Sequence, residues 1–399
     1  METCKECGKQ MVEIDWCHDC NARHFQQNFN NWTSGNENID KFIQNTQLSA
    51  FWHNKLLEWI PFDRFNDINY IDKGGFSNVY KAKWIDGRIL NWNIENQNWN
   101  RYHQNEFVAL KSLNNSENVT LEYINEITSY HKINEAFIIE IYGITLNPET
   151  KNYMIVLQYA EYGNLRNYLI KNYNELNWEK KIYILYTIAN GLDQIHKKGL
   201  IHRNLHIGNI LRSKYETSIT DMGLCKPADY NDALDNKVYG VLPYMAPEIL
   251  KGQNYTKASD IYSFGIIMYE VISGLPPYHN MSHDKNLAVK VCQGFRPRFN
   301  IKVPQLILHL IKQCLDADFS TRPTADEIWN ILLQWQDYIG DDDTEIYKQT
   351  KEAETSILPS TPTQIHPEAI YTSRLLNFDN LPEPKNSDDY YTQYDNIGG

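Results

Sequence analysis

Apolar positions change their spacing along the chain, and the changes divide it. Residues 1–25 are largely polar, whereas KFIQNTQLSAFWHNKLLEWI (41–60) brings apolar side chains back at helical spacing until Pro61 ends the pattern. From about 65 to 337, strand-like and helix-like segments alternate. IDKGGFSNVYKAKW (71–84) reads as two strands joined by a flexible turn, and VALK (108–111) ends an apolar strand. EYINEITSYHKI (122–133) returns to helical spacing, and NYMIVLQYAEYGNLRNYL (152–169) opens as a buried strand. IDGRILNWNIENQNWNRYHQNEF (85–107) is polar but carries Trp92 and Trp99. It predicts an extended hairpin folded onto the neighbouring strands, with an aromatic docking surface as the alternative. Beyond 337, stretches such as LPSTPTQIHPE and LPEPKNSDDYYTQYDN lack a core period, which predicts a disordered acidic tail over 338–399.

Composition adds limits rather than identity. With 399 residues, 42% hydrophobic and 22% charged, the chain is long enough for a sizeable core. A net charge of −12 argues against a nucleic-acid or membrane-surface binder. METCKECGKQ has no apolar signal core and no eighteen-residue apolar run follows, so a cytoplasmic address is expected, with the nucleus as second choice. Seven cysteines in such a reducing compartment are expected as thiols or metal ligands.

Four of those cysteines have a pattern. Cys4, Cys7, Cys17 and Cys20 form C-x2-C-x9-C-x2-C, two tight turns that each aim two thiolates at one point. A structural Zn²⁺ site is expected over residues 1–25, against the alternatives of two disulfides or four free thiols. Four protein ligands leave no open coordination place for catalysis. His18 and His24 are expected to be surface residues. A helical linker over 26–64 would join this module to the rest.

Residues 65–337 carry an ordered set of motifs: GGFSNV after a strand, VALK, a helical glutamate fifteen residues on, HRNLHIGN (202–209), DMG (221–223) and APE (246–248). Together they resemble the protein kinase domain, in the tyrosine-kinase-like group of Ser/Thr-type kinases. The resemblance covers about two thirds of the chain and implies an α+β, two-lobed fold with a β-rich small lobe and a helical large lobe. It also implies binding of ATP with Mg²⁺ and transfer of the γ-phosphate to protein Ser/Thr in intracellular signalling. Gly74, Gly75 and Phe76 would cover the phosphates, although Asp72 and Ser77 replace the outer glycines. Val79, Ala109, Leu157 and Leu211 would pack on the adenine, with Gln158, Tyr159 and Ala160 at the hinge. Lys111 would reach the phosphates and pair with Glu126; Asp221 and Asn209 would hold Mg²⁺ across the cleft. Asp260 would hold the backbone of the catalytic loop, Arg322 would brace Glu248, and Met222 would take the packing role of the family phenylalanine. Arg203 would receive a phosphate from the activation segment, for which Asp229, Asp232 and Asp235 are the candidates to stand in; solvation of a loop is the plainer account of those acids.

One residue breaks the pattern. Asn204 stands where the family carries the aspartate that orients the substrate hydroxyl and accepts its proton. An amide keeps a carbonyl acceptor but has negligible basicity, and loss of a general base commonly costs about 10²–10⁴ in rate. His206 replaces the usual lysine and Val241 the usual threonine, while Tyr230, Tyr239 and Tyr244 are the hydroxyls between Asp221 and Glu248. Two readings therefore stand: a protein kinase with impaired turnover, and a pseudokinase acting as a nucleotide-binding scaffold for a signalling partner. A nucleic-acid role for the cysteine module is disfavoured by the acidic charge.

Overall fold

The computed structural model describes residues 3–11, 15–73, 77–113, 121–133, 135–227, 238–354 and 364–386. The chain forms two compact units, one of residues 1–134 and 139–159, the other of 135–138 and 160–399. The first is built on a β-sheet and the second is mainly helical, as an α+β kinase fold requires.

The sheet of the first unit uses β1 (Glu58–Trp59), β2 (Phe65–Lys73), β3 (Ser77–Trp84), β6 (Glu106–Leu113), β7 (Ile141–Leu146) and β8 (Tyr153–Gln158) in the order β1-β7-β8-β6-β3-β2. Successive side chains on a strand point to opposite faces. One face buries Ala82, Val108, Leu110, Met154 and Val156 in a single core with Trp84 and Phe65. Helix α3 (Leu121–Ile133) also belongs to this unit and buries Glu126, Ile127 and Tyr130.

The expected continuous helix over 41–60 does not form. Helix α1 (His18–Asn28) is followed by α2 (Glu37–Ser49), whose N-terminus is capped by Asn36 accepting from the amides of Asn38 and Ile39. The carbonyl of Ala50, just past α2, accepts from Trp16 Nε1 at 3.0 Å and lies 3.1 Å from His18 Nδ1. The chain then folds back, with Leu57 N–H donating to Thr46 Oγ1 and Gln47 Nε2 donating to Leu57 O. That anchor delivers Glu58 and Trp59 as an edge strand parallel to β7. Gly143 is required there, because a Cβ would lie 2.1 Å from Glu58 O. Residues 1–64 are thus part of the first unit rather than a module on a linker.

The insertion does form a hairpin, β4 (Arg88–Asn93) with β5 (Asn98–Tyr102), in which Trp92 pairs with Trp99. Its tryptophans pack on the N-terminal helix: Trp99 stacks on Phe25 at 4.2 Å and Trp92 on His24 at 4.0 Å. Trp16, Phe25, Ala50, Leu56 and Ile89 form the small core that results.

The second unit contains α4 (Leu165–Asn172), α5 (Trp178–Lys197), α6 (Pro247–Leu250), α7 (Lys257–Ser273), α8 (Lys285–Cys292), α9 (Gln305–Cys314), α10 (Ala325–Tyr338) and α11 (Glu345–Glu354). Helix α7 is buried on all sides from Ser259 to Ser273, which its apolar sequence permits. At Gly265 a Cβ would lie 2.8 Å from that of Cys314, so glycine sets the approach of α7 to α9. Short strand pairs join β9 (Leu200–Ile201) to β12 (Lys226–Pro227) and β10 (Ile210–Arg212) to β11 (Thr217–Ile219).

The tail expected to be disordered is partly ordered. Ile346, Thr350 and Ala353 give α11 a buried stripe, and Gln349 Oε1 accepts from Leu306 N–H. Residues 364–386 run extended along the second unit, and β14 (Arg374–Leu376) pairs antiparallel with β13 (Val238–Gly240). The ordering cost is offset by burial of Leu376 and by a ladder and anchors distributed along the segment.

Candidate active site

The first unit presents its expected residues on one sheet face. Val79 pairs with Lys111 across β3 and β6, and Ala109 pairs with Leu157 across β6 and β8, so all four lie opposite the core face. Lys111 Nζ is 2.6 Å from Glu126 Oε1, and both side chains are nearly excluded from water. Leaving either charge buried alone would cost roughly 3–5 kcal/mol. Gln158 ends β8 and Tyr159 follows it, both half-buried, while Asp72 is exposed on β2. Gly74, Gly75 and Phe76 lie outside the described residues.

The second unit assembles its own set around Asp260. From the buried α7, Asp260 accepts the backbone amides of His202 at 2.8 Å and Arg203 at 2.9 Å, and lies 3.0 Å from His196 Nε2. This grip holds Arg203 in the left-handed region at φ 68°. Its guanidinium lies over the Tyr255 ring at 4.4 Å. Asp221 is also left-handed, at φ 66° and ψ 63°, followed by the fully buried Met222. Asn209 Nδ2 donates to Asp221 Oδ2 at 3.2 Å and to Asn204 O at 3.0 Å. A carboxylate and an amide oxygen are hard donors of the kind Mg²⁺ takes, so this pair fits the metal. Arg322 makes a two-pronged contact with Glu248 at 2.7 and 2.8 Å, with both side chains buried. Ala160 is buried, Leu211 half-buried in β10, and Val241 buried. Asp229, Tyr230, Asp232 and Asp235 lie outside the described residues.

Asn204 itself is buried and hydrogen-bonded on both sides. Its Nδ2 donates to Asp221 Oδ2 at 3.3 Å, and its Oδ1 accepts the hydroxyl of Ser373 at 3.1 Å. His206 Nε2 lies 3.3 Å from the same hydroxyl. Burial pushes the His206 imidazole down to about 3; Asp221 opposes that shift, while Arg166 and His202 reinforce it. Tyr244 is buried against Glu270 and Arg166. Among the residues named from sequence, none pointed to Ser373. The signal for it was IYTSRLLNF (370–378), a strand-like patch within Pro- and acid-rich flanks.

A sequence profile described as protein tyrosine and serine/threonine kinase matches residues 66–332. The chain belongs to the protein kinase family. The chain is 27% identical over 300 residues to a probable serine/threonine-protein kinase of Dictyostelium discoideum, covering 71% of this chain and 16% of that one. It is 27% identical over 306 residues to wall-associated receptor kinase-like 4 of Arabidopsis thaliana, covering 71% and 38%. A putative serine/threonine-protein kinase/receptor of Acanthamoeba polyphaga mimivirus is 28% identical over 284 residues, covering 70% and 16%. The chain therefore spans well under half the length of these curated relatives. No helix among the described residues is long and apolar enough to cross a membrane.

The chain also carries the cysteine cluster. Cys4, Cys7, Cys17 and Cys20 place all four Sγ atoms within 4.8 Å of one another, and none is in a disulfide. Cys4–Cys20 and Cys7–Cys17 separations are both 3.7 Å. Tetrahedral coordination at the usual Zn–S length of about 2.3 Å sets ligand sulfurs about 3.8 Å apart, so the set fits zinc. The backbone of Lys9 hydrogen-bonds Cys7 and brings its thiol down to about 7, whereas burial raises Cys20. His24 is not a free surface residue, since Nε2 lies 2.9 Å from Glu6 Oε1 and the ring stacks on Trp92. His18 stacks on Phe51 at 4.2 Å.

Proposed function

We propose that the chain binds ATP with Mg²⁺ and transfers the γ-phosphate to protein Ser/Thr hydroxyls at an attenuated rate. The observation that carries nucleotide binding is the buried Lys111–Glu126 pair, a fixed cation beside Val79, Ala109 and Leu157 on one sheet face. Lys111 would meet the phosphates, and Asp221 with Asn209 would hold the metal that neutralises them. By resemblance to the family, Gln158, Ala160 and Leu211 are expected to serve the adenine and Gly74, Gly75 and Phe76 the phosphates. The names of the Dictyostelium and mimivirus relatives support a Ser/Thr acceptor. Zn²⁺ in the cysteine cluster would be structural, and four reduced ligands suit the cytoplasm.

A second reading is favoured by Asn204. Its amide has no basicity near neutrality, so phosphate and metal binding would outlast turnover and leave a nucleotide-binding scaffold for a signalling protein. Two measurements separate these. Thermal stabilisation by ATP with Mg²⁺ is expected in wild type and in Asn204→Asp, and its absence in both would end the nucleotide reading. Radiolabelled transfer to a general protein substrate is expected to rise by about 10² or more in Asn204→Asp. Equal transfer by both would remove the role assigned to position 204, and transfer undetectable in wild type alone would select the scaffold.

A further inference from the structure

The tail segment 364–386 and the catalytic loop meet within one unit. Ser373 Oγ donates to Asn204 Oδ1 at 3.1 Å, the atom that replaces the family's proton-accepting carboxylate oxygen. His206 completes the seat. Gly208 N–H donates to His206 Nδ1 at 3.1 Å, so the proton of the neutral ring sits on Nε2, 3.3 Å from Ser373 Oγ. The hydroxyl therefore donates to an amide and accepts from an imidazole N–H. Neither neighbour is placed to take its proton.

The contacts around Ser373 are those of a bound extended peptide. Tyr239 OH donates to Ser373 O at 3.0 Å, and Val238, Tyr239 and Gly240 pair with Leu376, Leu375 and Arg374. On the other side Tyr371 lies 4.1 Å from the Arg166 guanidinium and donates to Pro277 O at 2.9 Å. The ends are held as well: His366 N–H donates to His279 O at 2.8 Å, and Lys385 N–H to Cys292 O at 2.9 Å. Main-chain pairing gives such a segment affinity, and side-chain pockets set its register.

We propose that residues 364–386 are an internal ligand of the face that receives the protein substrate, with Ser373 in the phosphoacceptor place. This rests on the kinase reading, because that reading makes position 204 the seat of the acceptor hydroxyl. The segment acts as a built-in pseudosubstrate: it fills the acceptor seat with a serine that has no base beside it. An external protein reaches Asn204 only after residues 371–376 leave β13. The same face would then bind an extended peptide with a Ser-Arg-Leu-Leu core.

Hydrogen exchange on the full-length chain and peptide binding test this together. In wild type the amides of 374–376 are expected to be protected at least tenfold over an unstructured segment. Ser373→Trp, too large to sit between Asn204 and His206, is expected to lose that protection. A fluorescent peptide of residues 364–386 is expected to bind Ser373→Trp at least tenfold more tightly than wild type. Unprotected amides in wild type, or equal peptide affinity for both proteins, would overturn the proposal. Because the wild-type exchange needs no variant, a misfolded Ser373→Trp leaves the test intact. Nucleotide binding is read separately by thermal shift with MgATP. A protected tail in a chain that ignores MgATP would sink the nucleotide reading and leave the docked segment standing.

Discussion

At the scale of single residues, Asn204 is shaped by what flanks it. Its Nδ2 faces the carboxylate of Asp221 at 3.3 Å and its Oδ1 faces a hydroxyl, an orientation that only an amide satisfies on both sides. An aspartate there would set two carboxylates side by side, and like charges in a buried site disfavour ionisation. Asn204→Asp is therefore expected to lose on the order of 1–3 kcal/mol of stability in chelator, where a donor becomes a like charge. Mg²⁺ is expected to restore most of it, since the metal neutralises the pair. Urea unfolding with and without Mg²⁺ reads this, and an unchanged midpoint in chelator would contradict it. His206 gives a pH test. Its ring is held neutral down to about 3, while the unfolded side chain titrates near 6.5. Below 6.5 the unfolded state binds the extra proton, so stability falls as pH falls through that window. Asp221 faces the ring and favours its protonation, whereas Arg166 and His202 disfavour it. Relative to His206→Gln, wild type is expected to lose about 2 kcal/mol more between pH 7 and pH 5. Parallel pH curves for the two proteins would show that the imidazole is not held neutral.

At the scale of elements, contacts among the residues of the ordered motifs were legible and long-range anchors outside them were not. The resemblance carried by the ordered motifs sufficed to anticipate the Lys111–Glu126 contact and the hold of Asp260 on the backbone of His202 and Arg203. The helical period over 41–60 misled because Trp16 and His18, far upstream, meet the carbonyl where α2 stops. Leu57 is then tied to Thr46 and Gln47, and the last apolar residues serve a sheet edge. The tail misled for a related reason. Its composition is that of a disordered segment, but β13 offers IYTSRLLNF a pairing edge that no local pattern reveals. The hairpin β4–β5 was legible as a hairpin but not as the partner of α1. Trp99→Ala is expected to cost on the order of 2–4 kcal/mol, because its ring stacks on Phe25 and lies beside Trp16. Trp52→Ala, at an exposed position, is expected to stay within about 0.5 kcal/mol. Denaturant unfolding of the two variants gives the comparison, and equal small losses would mean that the hairpin does not hold α1.

At the scale of the whole molecule, the segments on either side of the kinase motifs are each absorbed into the unit nearest in sequence. Residues 1–64 supply α1, α2 and an edge strand to the first unit, and 345–386 supply α11 and β14 to the second. A metal at the cysteines would then stabilise far more than a small knob. Cys17 and Cys20 flank the start of α1, and α1 carries the Phe25 and His24 rings that cover Trp99 and Trp92. Binding to the folded form alone adds to its stability by mass action, and structural zinc sites often supply much of a small module's folding energy. Removing the metal with a strong chelator, or replacing Cys4 and Cys20 by serine, is expected to loosen α1 and uncover the hairpin. Seven of the ten tryptophans lie in the first unit, so their fluorescence reports mainly on it. A red-shifted emission and a lower first unfolding transition are expected, with exchange at residues 374–376 of the second unit unchanged. If chelation altered neither fluorescence nor the transition while metal analysis showed zinc lost, the cluster would not be what holds α1 in place. If it released residues 374–376 as well, the two units would not stand independently of the metal.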